Sequence, residues 1–468
     1  MRVKFWGGLV ILLLLAISAS SQQCIPVFRH TYGGSGSDEA LAVLATADRG
    51  SLVAGRTTSS AIGSYDAFIM KLSEAGAVEW TKNYGAAGFD QITQIIAVPG
   101  GYVAVAQTKS FGNPFGEPLL LKIDYTGNLL WSRTYVNDQS AAHRISKAIL
   151  LNDGSIAMLV NLHDSTAQGN ALVAKLSSNG DVIWAREFDN GNKDFFNYVV
   201  QQNDSLVIAG TSTLAGGATT GIILKLNITT GQTYKSWKLY HLNDVFSASG
   251  FENNSIMVGL GPNGLMVTHN FKPIYPNVTL YWSMADIFIA DDGSKIFEKS
   301  IEASVGTSDG DNTVIEAMQG PSYSFMHLYN DDYNANWGNS RFIRQGGPVN
   351  TMQTGKFLYE EPFQYTRFSG MDTTGSYGYM FAGYMRTSWP LNQQWKIKVY
   401  KTDETLKTGS CPDNYNSSFI STVSLQIENF NWQSVQNATG FTATNVSVGT
   451  VNNIFTRTDG CADTYCTT

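Results

Sequence analysis

The stretch DAFIMKLSEAGAVEW, residues 66 to 80, indicates the fold because near-copies of it return three more times along the chain. The copies read PLLLKIDYTGNLLW at 118–131, ALVAKLSSNGDVIW at 171–184 and GIILKLNITTGQTYKSW at 221–237. Each joins two β-rich runs through a short polar turn that contains glycine, which is typical of a β-hairpin. A unit that recurs at a regular period indicates a repeat architecture.

Two rows of residues mark the period, with spacings of 51, 53 and 50 for the lysines and 51, 53 and 53 for the tryptophans. The rows are Lys71, Lys122, Lys175 and Lys225, and Trp80, Trp131, Trp184 and Trp237. Two further strand-like runs precede each hairpin, as in ALAVLATA at 40–47 and SLVAGRTT at 51–58. Four short strands in about 52 residues is the size of one β-propeller blade.

Later units have diverged but keep the pattern. The segment 286–300 repeats the hairpin with Phe297 in the place of tryptophan, and 354–363 matches an outer strand. The runs YGYMFAGYM at 377–385 and WKIKVYKTD at 395–403 repeat the second and third strands. The sequence therefore predicts seven units.

The two ends of the repeat region complement each other. PVFRHTYGG at 26–34 matches the outer strand and exit loop EWTKNYGAAG at 79–88, but no three strands precede it. The seventh unit ends after its third strand, near Asp403. One shared blade would explain both ends and would remove exposed sheet edges. We therefore predict an all-β protein, a seven-bladed β-propeller of four-stranded blades over residues 22–410, closed by an N-terminal strand.

The combined pattern YGG…D…GSLVAG…DxxxxKLxxxGxxxW resembles secreted bacterial β-propeller repeat proteins, which are often found on cell surfaces. The resemblance covers roughly residues 26–403 and is clearest in the first four units. It implies blades and a surface location rather than a ligand. The turn and tryptophan also resemble quinoprotein-type repeats, whose tryptophans dock neighbouring blades, although those repeats usually run shorter.

The first 21 residues predict a signal peptide. Arg2 and Lys4 precede the largely apolar run 5–17, and Ala19 and Ser21 are the small residues before a cut. A membrane anchor is the alternative, but the run is short for a bilayer. We expect a secreted or cell-surface protein with no membrane span after signal removal.

Composition narrows the partners. The net charge is −7, and charged residues are only 15% of the chain while aromatic residues reach 12%. No cluster of lysine and arginine is present, so nucleic acid is not an expected partner. We expect a protein or a glycan at the cell surface.

Residues 411–468 differ from the repeats and are rich in Asn, Ser and Thr. Val423, Leu425 and Ile427 alternate with polar residues, which predicts a half-buried strand. This tail is interpreted as a small β module, or as a strand that docks on a neighbouring molecule. We expect it to be dispensable for folding of the propeller but needed for self-association.

Four cysteines, Cys24, Cys411, Cys461 and Cys466, predict two disulfides with three possible pairings. Cys24 precedes the closing strand and Cys411 follows the third strand of that blade, which favours a Cys24–Cys411 bond and a local bond in the tail. Pairing of Cys24 with a tail cysteine or another molecule is the alternative. Seven sequons permit glycosylation without arguing for it: Asn203, Asn227, Asn253, Asn277, Asn416, Asn437 and Asn445.

The repeated residues allow two interpretations each. The tryptophans are expected to pack between adjacent blades, with carbohydrate stacking as the alternative. The lysines are expected to cover apolar surface with their stems, with an anion-binding rim as the alternative.

No metal site, cofactor or catalytic residue is predicted. Asp332, Asn334 and Asn336 have calcium-loop spacing, but Trp337 and Ile343 stand where that loop requires Gly and Glu.

The six histidines form no HxxH pattern, and GxSxG is absent. Asp38 and Asp90 recur at the exit loops, which suits turn capping. The leading hypothesis is a secreted, non-enzymatic scaffold for binding, adhesion or extracellular assembly. The alternative is an extracellular propeller enzyme, either a quinoprotein-like oxidoreductase or a glycan-acting hydrolase. Two or more carboxylates that converge on the central channel, one of them in an apolar pocket, would favour the enzyme.

Overall fold

The structure is a computed structural model that describes the greater part of the chain. The described residues are 24–136, 143–163, 169–214, 219–241, 256–261, 264–271, 283–302, 313–319, 325–334, 337–345, 356–358, 364–374, 378–387, 394–403, 414–415, 425–429, 434–438 and 440–466. These residues contain strands and turns but no helix, so the predicted all-β class is confirmed. Accordingly, no helix in the described part is long and apolar enough to cross a bilayer.

The first four sheets are antiparallel meanders of four consecutive strands. Sheet 1 contains β2 (Asp38–Ala45), β3 (Ser51–Thr57), β4 (Asp66–Leu72) and β5 (Val78–Gly85). Sheet 2 contains β6 (Asp90–Val98), β7 (Gly101–Thr108), β8 (Glu117–Ile123) and β9 (Leu129–Val136). Sheet 3 contains β10 (His143–Leu150), β11 (Ile156–His163), β12 (Gly169–Leu176) and β13 (Val182–Asp189). Sheet 4 contains β14 (Asp194–Gln202), β15 (Ser205–Thr213), β16 (Thr219–Asn227) and β17 (Thr233–His241).

The next three sheets keep the same order. Sheet 5 contains β18 (Ile256–Gly261), β19 (Gly264–Phe271), β20 (Ser283–Ala290) and β21 (Lys295–Glu302). Sheet 6 contains β22 (Thr313–Gln319), β23 (Phe325–Asn334), β24 (Trp337–Gln345) and β25 (Lys356–Leu358). Sheet 7 contains β26 (Gln364–Thr373), β27 (Tyr379–Thr387), β28 (Lys396–Thr402) and, in the fourth place, β1 (Cys24–Gly33).

The repeated hairpin has the same register in its first three copies, whereas in the fourth Trp237 pairs with Ile223 and Lys225 with Lys235. Lys71 pairs with Trp80, Lys122 with Trp131 and Lys175 with Trp184. The ladder shifts by one residue directly after each of these lysines. This bulge re-aims the end of the third strand, so the repeated sequence sets a repeated geometry.

β1 is an interior strand of sheet 7 and pairs antiparallel on both sides. Its Phe28 lies opposite Lys401 of β28, and its Cys24 lies opposite Cys466. The strand therefore occupies the fourth place of sheet 7.

Within the described residues, the tail adds a fifth, outer strand to six of the seven sheets. β29 (Asn414–Tyr415) pairs with β25 of sheet 6, β30 (Leu425–Asn429) with β17 of sheet 4, β31 (Ser434–Asn437) with β13 of sheet 3, β32 (Thr442–Asn445) with β9 of sheet 2, β33 (Gly449–Asn452) with β5 of sheet 1 and β34 (Thr456–Cys466) with β1 of sheet 7. The tail visits sheets 6, 4, 3, 2 and 1 in reverse chain order and ends on sheet 7, and its described strands form no sheet of their own.

The apolar core lies between successive sheets. Strands β4 and β7 are buried along almost their whole length, because both faces of each sheet are covered. Leu52 and Ile69 of sheet 1 pack with Ile92 and Leu121 of sheet 2, and Met380 of sheet 7 packs with sheet 1. Strands covered on both faces read as continuous apolar runs, which explains sequences such as FIM and LLL before the lysines.

Candidate functional site

Each tryptophan of the repeat lies at the junction with the following sheet. A Cβ added to Gly127, Gly231 or Gly293 would come within 3.0 Å of a neighbouring tryptophan ring. The rings are those of Trp80, Trp184 and Trp237, respectively. All three glycines have positive φ, so the turn needs glycine for conformation as well as for space.

Trp131 makes the corresponding approach to Gly180. Trp184 and Trp237 are only 8% and 4% exposed. These positions fit packing between sheets rather than a carbohydrate-stacking surface.

Tyrosines reinforce the same junctions. The hydroxyls of Tyr84 and Tyr135 donate hydrogen bonds to the carbonyls of Gly127 and Gly180 at 2.7 and 2.8 Å. Burial raises the pKa of both phenols, which keeps the hydroxyls protonated as donors. Tyr32 of β1 makes the same bond to the carbonyl of Gly76 at 2.8 Å. The N-terminal strand thus docks on sheet 1 as β5 docks on sheet 2.

Three of the four repeated lysines are buried and neutralised by carboxylates. The Lys71 Nζ lies 2.7 Å from Asp48 and 3.3 Å from Glu79. The Lys175 Nζ lies 2.7 Å from Asp153. The ion pairs with Asp48 and Asp153 join the end of a third strand to the first turn of the same sheet.

Lys225 finds its carboxylate in the next sheet instead. Its Nζ lies 2.9 Å from Asp291 and donates to the side-chain oxygen of Gln202 at 2.8 Å. These three lysines are 4% to 8% exposed. Their charges are therefore paired within and between the sheets and do not form an open anion-binding rim.

Lys122 differs from the other three. It is half-buried, and among the residues that the structure describes it makes no hydrogen bond or ion pair. It lines a cleft of about 530 Å³ between sheets 2 and 3, together with Val98, Pro99, Ser178 and Ile183. This cleft is the candidate binding site.

Buried carboxylates lie at the start of the first strand of several sheets, at the opposite end of the strands from the repeated lysines. Asp38 accepts a hydrogen bond from the backbone N–H of Gly34 at 2.8 Å, and Asp90 accepts one from Ala86 at 3.0 Å. Asp38 and Asp90 have no exposed surface. They cap the loops that lead into their strands, as the sequence predicted for them.

Asp194 occupies the equivalent place in sheet 4. One of its oxygens accepts the N–H of Asn190 at 2.8 Å. Burial, slightly reinforced by the nearby charge of Asp189 and opposed by hydrogen bonds, raises the pKa of Asp194 to about 7. A carboxyl with such a pKa has the proton affinity of a general acid, but Asp194 has no exposed surface for a substrate to reach.

Asp66 and Glu117, at the start of the third strands, are also buried. Burial raises the pKa of both carboxyls, and the charge of Asp90 adds to the rise at Asp66. Asp66 accepts backbone hydrogen bonds from Ile62 and Gly63. These carboxyls are therefore also occupied in holding loops.

The tail steps between sheets in a regular way. The residue after each of three tail strands donates its backbone N–H to the residue that follows a repeat tryptophan. These pairs are Ala438 to Ala185 at 3.2 Å, Val446 to Ser132 at 3.1 Å and Asn453 to Thr81 at 3.0 Å. The tail is therefore in register with the repeat of the sheets.

An apolar anchor follows each of these steps. Phe441, Val448 and Phe455 are 3%, 9% and 5% exposed and join the cores between successive sheets. Phe441 stacks on Tyr135 at 5.8 Å, and Phe455 meets Phe68 edge-on at 5.2 Å. Their seven-residue spacing is visible in the sequence and was the missed signal that the tail repeats with the sheets.

Several predicted features lie outside the described residues. These are the signal peptide, Cys411, Asn336 and the sequons at Asn253, Asn277 and Asn416. Cys461 and Cys466 are described only as backbone positions of β34, as are Asp332 and Asn334 in β23. Among the described side chains, no group of three or more His, Cys, Asp and Glu could hold a metal ion.

No model of a known protein family matches the sequence, and no curated protein matches it. Solved structures resemble it at low identity. Drosophila Semaphorin 1a, extracellular domains 1–2, has a TM-score of 0.44 and 9% identity, covering 80% of this chain and 87% of that one. Drosophila Plexin A in complex with Semaphorin 1b has a TM-score of 0.41 and 9% identity, covering 79% and 88%.

A neuraminidase-like protein of subtype N11 from the virus A/flat-faced bat/Peru/033/2010 (H18N11) has a TM-score of 0.39 and 10% identity. The alignment covers 83% of this chain and 99% of that one. Likeness at this level transfers neither activity nor ligand.

Proposed function

We propose that the chain is a secreted, non-enzymatic β-propeller that acts as an extracellular binding, adhesion or assembly scaffold. Its seven sheets would be the blades, with β1 completing the last blade and closing the ring. The partner would be a protein or a glycan at the cell surface. The observation that carries the non-enzymatic part is the use of the buried carboxylates as loop caps.

Ring closure is supported by contacts that continue from sheet 7 to sheet 1. The backbone N–H of Asp38 donates to the carbonyl of Trp395 at 2.9 Å. The N–H of Asp90 donates to Tyr65 in the same way between sheets 1 and 2, also at 2.9 Å. One type of contact therefore serves both junctions, although the first joins the two ends of the chain.

The tail has a different role in this proposal from the one that its sequence suggested. Its strands pair with the outer edges of six sheets of the same chain, so those edges are already occupied. We propose that the tail wraps around the outside of the propeller and covers its outer strand edges, instead of docking on a second molecule.

The cysteine pairing changes with it. Cys24 is not a free cysteine, and it lies opposite Cys466 in the β1–β34 ladder. Directly opposed residues in antiparallel strands have Cα atoms about 4.5 to 5.5 Å apart, which suits a disulfide. We propose a Cys24–Cys466 bond in place of the expected Cys24–Cys411 bond. Non-reducing peptide mapping tests it, and a Cys24 peptide linked to Cys411 would exclude it.

The enzyme alternative is tested in the same experiment as the binding role. The experiment expresses the full chain with residues 1–21 in a secreting host and tests the secreted protein in two ways. It is screened for binding to immobilised glycans and extracellular matrix proteins, and for hydrolysis of glycosides and quinone-dependent oxidation of alcohols.

Binding without turnover is the expected result. Turnover of a glycoside or an alcohol by the secreted protein would establish the enzyme instead. Retention of the protein inside the host with residues 1–21 still attached would exclude the secreted location.

A further inference from the structure

At the cleft that Lys122 lines, the repeated lysine lacks, within the described part of the chain, the carboxylate partners that the lysines of sheets 1, 3 and 4 have. In sheets 1, 3 and 4 the lysine of the third strand is neutralised by carboxylates from three positions: the first turn of its sheet, the residue before the tryptophan, and the hairpin turn of the next sheet. Asp48, Glu79 and Asp291 show one case of each.

All three positions are changed around Lys122. The first turn of sheet 2 is the short Pro99–Gly100 turn, Leu130 precedes the tryptophan, and Ser178 stands in the hairpin turn of sheet 3 where sheet 5 has Asp291. A lysine in the same register thus has no acidic partner among the described residues.

The surrounding cleft has a definite chemical character. Val98, Pro99 and the 54%-exposed Ile183 give it an apolar wall, and the exposed Ser178 offers a hydroxyl. Asp153 also borders it, but Lys175 holds Asp153 in an ion pair. Among the residues that line the cleft, Lys122 is therefore the charged group without an ion-pair partner in the described part of the chain.

We propose that this cleft binds a carboxylate carried on a short aliphatic body, with the carboxylate at Lys122 and Ser178 and the body against Pro99 and Ile183. A volume of about 530 Å³ lies in the range of small-molecule sites. Two sources share this chemistry, a free aliphatic acid and the C-terminal end of a peptide chain. The proposal gives the scaffold a ligand class, and it rests on the proposed binding role.

The test is isothermal titration calorimetry on the mature full chain with four probes: hexanoate, hexanamide, N-acetyl-Leu-Leu and its C-terminal amide. At least one acid should bind with a Kd in the millimolar range or tighter. Its amide should bind about tenfold more weakly or worse, because a charged hydrogen bond is lost. Tighter binding of hexanoate assigns a free acid, and tighter binding of the dipeptide assigns a chain end.

Variants locate the site. Lys122→Gln should weaken acid binding about tenfold or more. Ser178→Asp should abolish it by supplying the carboxylate that sheet 5 supplies to Lys225, without lowering the Tm. Lys82→Gln is the matched control, since Lys82 bonds Asn128 at an exposed position, and its affinity should equal that of the unmodified chain.

Equal affinity for acid and amide would overturn the proposal, as would an unchanged affinity in Lys122→Gln or no binding of either acid up to about 50 mM. Those results would leave the scaffold role standing, because that role rests on the loop-capping carboxylates and is tested on glycans and matrix proteins.

Discussion

The two ends of the chain meet in one sheet but are held there in different ways. β1 has a strand on each side, and all of its residues after Cys24 are buried or half-buried. The tail strands lie on the outer edges, and the four residues of β33 are all exposed. β1 thus contributes both edges and a packed face, whereas a tail strand contributes one edge and relies on the anchor beside it.

Deleting residues 22–34 should have the largest effect, because it removes β1 from between β28 and β34 and takes away Phe28 and Tyr32, each 1% exposed. Two strand edges would be left open to pairing with other chains. We expect aggregation, measured by light scattering of the purified protein. A monomer with unchanged thermal stability would refute ring closure by β1.

Truncation after residue 411 should come next. It uncovers the outer edges of six sheets and removes Phe441, Val448 and Phe455, so we expect a loss of more than about 5 kcal/mol in the free energy of unfolding. Urea unfolding measures it, with removal of residues 467–468 as the control. A free energy of unfolding equal to that of the control would show that the tail does not stabilise the sheets and would favour a separate module.

A single anchor tests the same contrast more finely. Phe441→Ala removes a side chain that is 3% exposed and stacked on Tyr135, and should cost about 3 kcal/mol. Ile454→Ala is the matched control, since Ile454 lies in the same tail but is 81% exposed. Equal effects of the two substitutions on the urea midpoint would show that the buried anchor contributes no more to stability than an exposed residue of the tail.

The smallest effect is expected at Asp194, which lies at the start of the first strand of sheet 4 and belongs to neither β1 nor the tail. The folded-state pKa of Asp194, about 7, lies above the unfolded value near 3.8. The native state therefore holds an extra proton between those values, and stability falls as pH rises from about 4 to 7. Asp194→Asn should remove this slope and raise the free energy of unfolding at pH 8.

Asp153→Asn provides the opposite sign. The ion pair with Lys175 and the hydrogen bond from Ser155 lower the pKa of Asp153 to about 2, so its contribution is present above pH 4 and is lost as pH falls toward 2. Unfolding free energies measured from pH 3 to 8 distinguish the two. An unchanged slope in Asp194→Asn would contradict the assignment.

Local patterns were enough for the hairpins. The alternation around Lys71 and Trp80, with Gly76 between them, involves residues a few positions apart, so turn chemistry and side-chain period predict the pairing. The orphan outer strand at 26–34 was also readable, because it repeats the strand that ends at Gly85. These signals are carried by neighbours in the chain.

The sequence by itself determined the β-rich repeat, the hairpins and the place of β1, because short-range turns and apolar runs specify them. Tertiary structure decided the place of the tail, since β32 meets β9 more than 300 residues away and a four-residue strand has no preference among sheet edges. It also decided that Lys122 stands apart from Lys71, Lys175 and Lys225. Their similar spacing made the four lysines look alike, and only the folded structure shows which carboxylates reach each of them.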